Sequence, residues 1–94
     1  MTKADIVVKV ADATGLTRTE VEVVFDGIFK VMSAELAEHG HIELRRFGTF
    51  KTAVRSERNA HNPRTGEAVH VERHTKPVFK PSPQLREMVN SKNK

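Results

Sequence analysis

The stretch from Arg55 to Arg73 limits what this chain can fold into more than any other, because it lacks the side chains from which a core is built. From Arg55 to Ala68 the only aliphatic side chains besides Pro63 are Ala60 and Ala68. Asn62-Pro63 followed by Gly66 is a turn signal: proline pre-sets one turn dihedral, and glycine takes a positive φ without a Cβ clash. Val69, Val71 and Thr75 recur at period two, which predicts a strand after the turn. The limb before the turn continues from Thr49-Phe50-Lys51, which is also strand-like. The two limbs predict a long β-hairpin with Pro63 near its tip. Such a hairpin cannot bury a face against its own domain, so it projects into solvent, carrying Arg55, Arg58, Arg64 and Arg73. A basic arm with a small apolar wedge at its end orders against a partner, and the partner implied is a grooved polyanion.

The chain has 94 residues and is expected to be one domain, 1–94. An arm of about 20 residues leaves a body of about 70, at which size a single core is marginal. Cysteine is absent, so neither disulfides nor a thiolate metal site can staple the body. Oligomerisation is the expected source of the missing stability. No apolar run has the length of a membrane span. Met1 leads straight into a helix start without a signal-peptide pattern, which fits a cytosolic protein. The net charge of +4 hides a segregation. Residues 1–44 carry four Lys/Arg and eight Asp/Glu, whereas residues 45–80 carry nine Lys/Arg and three Asp/Glu. An acidic half followed by a basic arm suggests a directed electrostatic footprint.

In chain order, Thr2 with Asp5 predicts a capped helix over Lys3–Thr14, stopped by Gly15. Thr17-Arg18-Thr19-Glu20 is a capping box, and the second helix is predicted to run to about His39, with Gly40 ending it. Its apolar residues, among them Phe25, Ile28, Phe29, Met32 and Leu36, cover an arc of roughly 160° at 100° per residue. That is wide for one small neighbour, so one edge is expected to meet the first helix and the other a second copy of the chain. Residues 1–40 are thus read as a helical dimerisation region, 41–54 and 74–81 as sheet, 55–73 as arm and 82–91 as a last helix. Ile42 and Leu44 mark the short first strand. Phe47, Phe50 and Phe79, with Leu44, are expected to form a buried cluster that clamps the base of the arm. Pro77 belongs to an edge strand or a strand start. Ser82 caps the last helix with Pro83 at its first position, and Ser91 to Lys94 form a polar, frayed tail.

The five histidines do not amount to a metal site. His70 and His74 are spaced for one face of a helix, but in a strand they stand roughly 13 Å apart. His61, beside the turn, fits a phosphate or sugar contact strengthened by protonation. No nucleophile–base pair, paired carboxylates or phosphate-cradling glycine loop stands out, so neither enzyme function nor a cofactor is expected.

Arg46-Phe47-Gly48-Thr49-Phe50, Asn62-Pro63-Arg64-Thr65-Gly66-Glu67 and Phe79-Lys80-Pro81 together resemble the HU/integration host factor family of bacterial nucleoid proteins. The resemblance covers essentially the whole chain. It implies an α+β fold: an intertwined dimer with an α-helical base, a three-stranded sheet extended into two β-arms, and a short C-terminal helix. It further implies arms that follow the DNA minor groove, with a proline at each tip wedged between base pairs, here Pro63. By position it assigns DNA contacts to Arg55, Arg58, Arg64, Arg73, Lys80 and Arg86, and more weakly to Lys3, Lys51 and Lys76; His61 and Asn62 at the tip are further candidates, and Arg46 either adds a contact on the body or is merely exposed. The partners implied are double-stranded DNA, bent, nicked or gapped DNA above all, and a second copy of the chain or a paralogue; the location implied is the bacterial nucleoid. There are departures. His61 stands where the family usually has Arg, Arg46 where it commonly has Gly, and Ser82-Pro83-Gln84 replaces a common Gly-Lys step. A sequence-preferring bender is the alternative within the family. An RNA-binding module is the alternative outside it, weakened by the absence of Tyr and Trp and the expected burial of every Phe. A purely structural dimerisation protein is the third class.

Overall fold

A computed structural model describes residues 1–92. The elements in order are α1 (Lys3–Thr14), α2 (Arg18–Ala37), β1 (Ile42–Leu44), β2 (Gly48–Arg55), β3 (Arg58–His61), β4 (Ala68–Val71), β5 (His74–Pro81) and α3 (Pro83–Lys92). By contact density they fall into two compact units, Met1–Glu35 and the residues from Leu36 onward.

The first unit is built on helix caps. The Thr2 N–H donates to the Asp5 carboxylate at 2.8 Å, and the Asp5 N–H donates to the Thr2 hydroxyl at 3.4 Å. Gly15 ends α1 at φ 79°, its N–H donating to the Ala11 carbonyl at 2.9 Å. Thr17 and Glu20 close the second box, with bonds of 3.0 and 3.1 Å. The hydrogen bonds from Thr17 hold the Glu20 carboxyl below its ordinary range. A carboxyl lowered in the folded state stabilises above its unfolded pKa, and that contribution is lost as pH falls through the folded value. One boundary departs from expectation. Helix α2 stops at Ala37, because His39, not Gly40, takes the left-handed position, at φ 60°, with its N–H donating to the Leu36 carbonyl at 3.0 Å. Among the described residues of this unit, Val7, Ala11 and Val21 are the buried ones.

The second unit holds a three-stranded antiparallel sheet ordered β1-β2-β5 and a two-stranded ladder of β3 and β4. Pro77 lies within β5, an edge strand, where a missing N–H costs no ladder bond on the open side. The register pairs Phe50 with Phe79 across the strands, ring centroids 4.7 Å apart. Gly48 pairs with Pro81 on the same face. A Cβ on Gly48 would stand 2.5 Å from the Lys80 carbonyl oxygen and 2.6 Å from the Phe79 ring. Since one of those atoms is backbone, Gly48→Ala is expected to destabilise by about 2–3 kcal/mol, read as a lowered urea midpoint in equilibrium unfolding.

The aromatic cluster forms, but it is not the buried plug expected from the sequence. Phe47 lies 5.3 Å from Phe79 by ring centroid, yet the two are 46% and 41% exposed. Leu44 is exposed as well, and Phe50 is half-buried. Each ring has the other two as neighbours, but those contacts alone leave Phe47 and Phe79 more than two-fifths exposed. Nor is every Phe buried in α2: Phe25 is half-buried and Phe29 is 49% exposed. The last helix follows the sequence closely. The Leu85 N–H donates to the Ser82 hydroxyl at 3.1 Å, and the Ser82 N–H donates to the Phe47 carbonyl at 2.9 Å, fixing where α3 leaves the sheet. The tail expected from Ser91 is helical as far as Lys92, and Asn93 and Lys94 lie outside the described residues.

Candidate nucleic-acid interface

The arm tip is organised by one residue, through its side chain and its backbone. The Asn62 amide oxygen accepts from the Arg64 N–H at 2.9 Å, its carbonyl accepts from the Gly66 N–H at 2.7 Å, and its own N–H donates to the Glu67 carbonyl at 2.8 Å. Gly66 sits at φ 75°, the conformation the turn signal required of it. These bonds leave Pro63 and Arg64 exposed on a closed loop whose shape is already set.

Behind the tip, His61 pairs with Ala68, Ala60 with Val69, Asn59 with His70 and Arg58 with Val71. Alternation puts Arg58, Ala60, Val69 and Val71 on one face and Asn59, His61, Ala68 and His70 on the other. The His70 ring lies 3.2 Å from the Asn59 amide oxygen and 3.7 Å from the Glu57 carboxylate. Both of these ladders share a single register. Between them Ser56-Glu57 and Glu72-Arg73 form no ladder. A concavity of about 530 Å³ opens at this joint, lined by Arg55, Ser56, Glu57, Arg58, His74 and Lys76.

At the base of the arm, the β2–β5 register pairs Arg55 with His74, Ala53 with Lys76, Lys51 with Val78 and Thr49 with Lys80. Lys51, Arg55, Lys76 and Lys80 thus stand on one face of the sheet, all exposed, while Phe50, Phe79 and Pro77 hold the other. The two lysines ranked as weaker contacts, Lys51 and Lys76, belong to the same cationic row as the stronger pair. Arg73 is exposed in the interruption, and Arg86 is exposed in the first turn of α3. In the first unit, Lys3 is already paired: its ammonium lies 2.6 Å from Asp26 and 3.7 Å from Glu22, above the Phe25 ring. The bond to Asp26 raises its pKa. A raised lysine contributes below its unfolded pKa of about 10.4 and loses that contribution only as pH rises through the folded value, so near-neutral pH leaves this pair intact. No three metal-ligating side chains cluster among the described residues.

Residues 1–90 match the family described as bacterial DNA-binding protein. The chain is 34% identical to DNA-binding protein HU-1 of Halalkalibacterium halodurans over 96% of its own length and all of that protein. It is 40% identical to integration host factor subunit beta of Marinobacter nauticus, over its full length and 97% of the relative. Among solved structures, a HU–DNA cocrystal structure from Anabaena matches with a TM-score of 0.87 at 25% identity, covering 95% of this chain and 97% of that one.

Proposed function

Because the chain belongs to the bacterial DNA-binding protein family of HU and integration host factor, a family of non-enzymatic proteins, we propose that it is an architectural protein that binds and bends duplex DNA as a dimer. In this reading the arms follow the minor groove, Pro63 wedges between base pairs, and Arg55, Arg58, Arg64, Arg73, Lys51, Lys76 and Lys80 neutralise phosphates. Nicked or gapped duplexes bind tighter, because part of the deformation is already made. Sequence preference is low, since the minor groove mostly distinguishes A·T from G·C. The observation that carries the reading is the row Lys51, Arg55, Lys76 and Lys80 on one exposed face, continuous with an arm whose tip presents Pro63 on a preset loop. No helix of the described residues is long and apolar enough to cross a membrane. A sequence-preferring reading has one observation in its favour, the higher identity to integration host factor subunit beta, 40% against 34% for HU-1.

The test is a salt titration of duplex affinity. Neutralising on the order of eight phosphates gives a slope of log affinity against log salt of about −7. A flat response overturns the reading. His61→Arg, which places a permanent charge beside the tip, is expected to raise duplex affinity about threefold and to steepen the salt slope by about 0.9 for each arm. Competition of a fixed duplex against random sequence separates the low-specificity reading from the sequence-preferring one.

A further inference from the structure

The arm is weakly held in its middle. Between the ladder of β2 with β5 and that of β3 with β4, Ser56-Glu57 and Glu72-Arg73 make no ladder bonds. A two-stranded ribbon is marginal in water, and a break in its pairing is where it opens and bends first. The break is flanked by two histidines, His70 in β4 on its outer side and His74 at the start of β5 on its inner side. Four residues apart in extended chain, they are too distant to share a metal ion. Each instead reaches into the break. The His70 Nε2 lies 3.7 Å from the Glu57 carboxylate, and its Nδ1 lies 3.2 Å from the Asn59 amide oxygen. His70 thereby joins the unladdered Glu57 of one strand to the outer ladder. The His74 Nδ1 donates to the Glu72 carbonyl at 2.9 Å, which ties the other unladdered segment to the inner ladder. Among the described residues no other side-chain hydrogen bond or ion pair reaches Ser56, Glu57, Glu72 or Arg73.

We infer that His70 and His74 are positioning residues, which hold the outer ladder of the arm in line with the sheet across the unladdered joint and so place Pro63 on the duplex. The inference rests on the DNA-bending reading above. Leverage makes a modest contact matter. The stretch from Glu57 to Pro63 spans about 20 Å at about 3.3 Å per strand residue. A tilt of about 15° at the joint therefore moves the tip by about 5 Å, more than the roughly 3.4 Å between successive bases of one strand. A loose joint spreads Pro63 over more than one base step, and ordering it on binding costs affinity. The histidines act through the backbone they hold, while Arg55, Arg58 and Lys76 beside them carry the charge. Glu57, Asn59, His70 and His74 are all exposed, so altering them leaves the buried core untouched.

The test combines His70→Ala with His74→Ala and reads the joint directly by backbone nitrogen relaxation of the free protein. Order parameters at Ala60 and Val69 are expected to fall from about 0.8 towards 0.6, while those at Phe50 and Val78 stay as in wild type. Tm moves by no more than about 3 °C. Affinity for an intact duplex falls about fivefold with an unchanged salt slope, and energy transfer between the duplex ends reports a broader spread of bends. Glutamine at both positions keeps hydrogen-bonding groups of similar reach and is expected to recover most of the order and of the affinity. Unchanged order parameters at Ala60 and Val69 overturn the inference whatever the affinity does. A loosened arm that binds and bends the duplex as wild type does overturns the placing of Pro63. A salt slope shallower by about 0.9 for each arm makes the histidines phosphate contacts and overturns the positioning role. If wild type itself binds no duplex in a salt-dependent way, the DNA-bending reading fails and the placing of Pro63 with it, while the order parameters still decide whether the histidines hold the joint.

Discussion

Replacing Ile28 by glutamate is expected to abolish association of the chain with itself and to unfold most of it at micromolar concentration. The reason is how little the chain buries alone. Among the described residues Val7, Ala11 and Val21 are the only buried apolar side chains, and the chain exposes 8159 Å² of accessible surface. A compact chain of this mass would expose about 5,500 Å². Part of the excess is arm, but part is an apolar face on α2, where Ile28, Phe29, Val24 and Val31 are all about half exposed or more. Full burial of side chains of this kind contributes about 1.5–3 kcal/mol each. A second copy is the simplest source of that burial, and a dimer whose core is shared has no stable folded monomer. A carboxylate at Ile28 must then be desolvated without a partner, at a cost of about 3 kcal/mol or more at each of two symmetric positions. Sedimentation should show wild type at twice the chain mass, concentration-dependent melting, and Ile28→Glu as a largely unfolded monomer. Val23, about 140° around the helix from Ile28, is the control. It is 67% exposed, and Val23→Glu should leave mass and Tm unchanged. A wild type that sediments as a folded monomer, or an Ile28→Glu variant with wild-type mass and Tm, removes the dimer from the proposal.

What could be read from the sequence divides along the range of the interactions involved. Local chemistry was legible. Thr2 with Asp5, Thr17 with Glu20, Ser82 with Pro83, and Asn62 through Gly66 each determine a cap or turn within about four residues, and each forms as the residue types require. Strand pairing was legible because the Asn62–Glu67 turn sets the register for everything behind it. Burial was not, because it depends on what lies opposite. Phe47 and Phe79 look like core residues by type, yet one sheet face leaves them exposed. The composition of the cationic row was hidden as well. Lys51 and Lys76 lie far apart in sequence, and only the β2–β5 register places both beside Arg55. Lys3 shows the opposite effect: a basic residue by sequence, it is held by Asp26 from the next helix. The left-handed Arg46 is not signalled by its residue type, and only the family's usual glycine at that place points to it.

Pro63→Ala is expected to separate bending from binding. The substitution alters no charge, so the number of phosphates neutralised, and with it the salt slope, should stay within error of wild type. What changes is the wedge. Unstacking a base step costs a few kcal/mol, and an apolar side chain inserted into the opened step offsets part of that cost. The closed Asn62 loop matters here, because Pro63 is presented on a backbone held by bonds of 2.9, 2.7 and 2.8 Å and little ordering remains to be done on binding. Alanine keeps the loop and removes the ring. Affinity for an intact duplex should then fall about tenfold, equivalent to about 1.4 kcal/mol. Energy transfer between the labelled ends of the duplex should report a smaller bend. A duplex with two nicks has its stacking already interrupted, so wild type should prefer it over the intact duplex by about tenfold. Pro63→Ala should recover most of its lost affinity on the nicked duplex, where no wedge is needed to open the step. The competing picture is a simple electrostatic coat, in which the arm contacts phosphates and inserts nothing. It makes the opposite forecast: equal wild-type affinity for nicked and intact DNA, and an unaltered bend in Pro63→Ala. That outcome would leave the cationic row as the whole of the interface and the arm tip without a role in deformation.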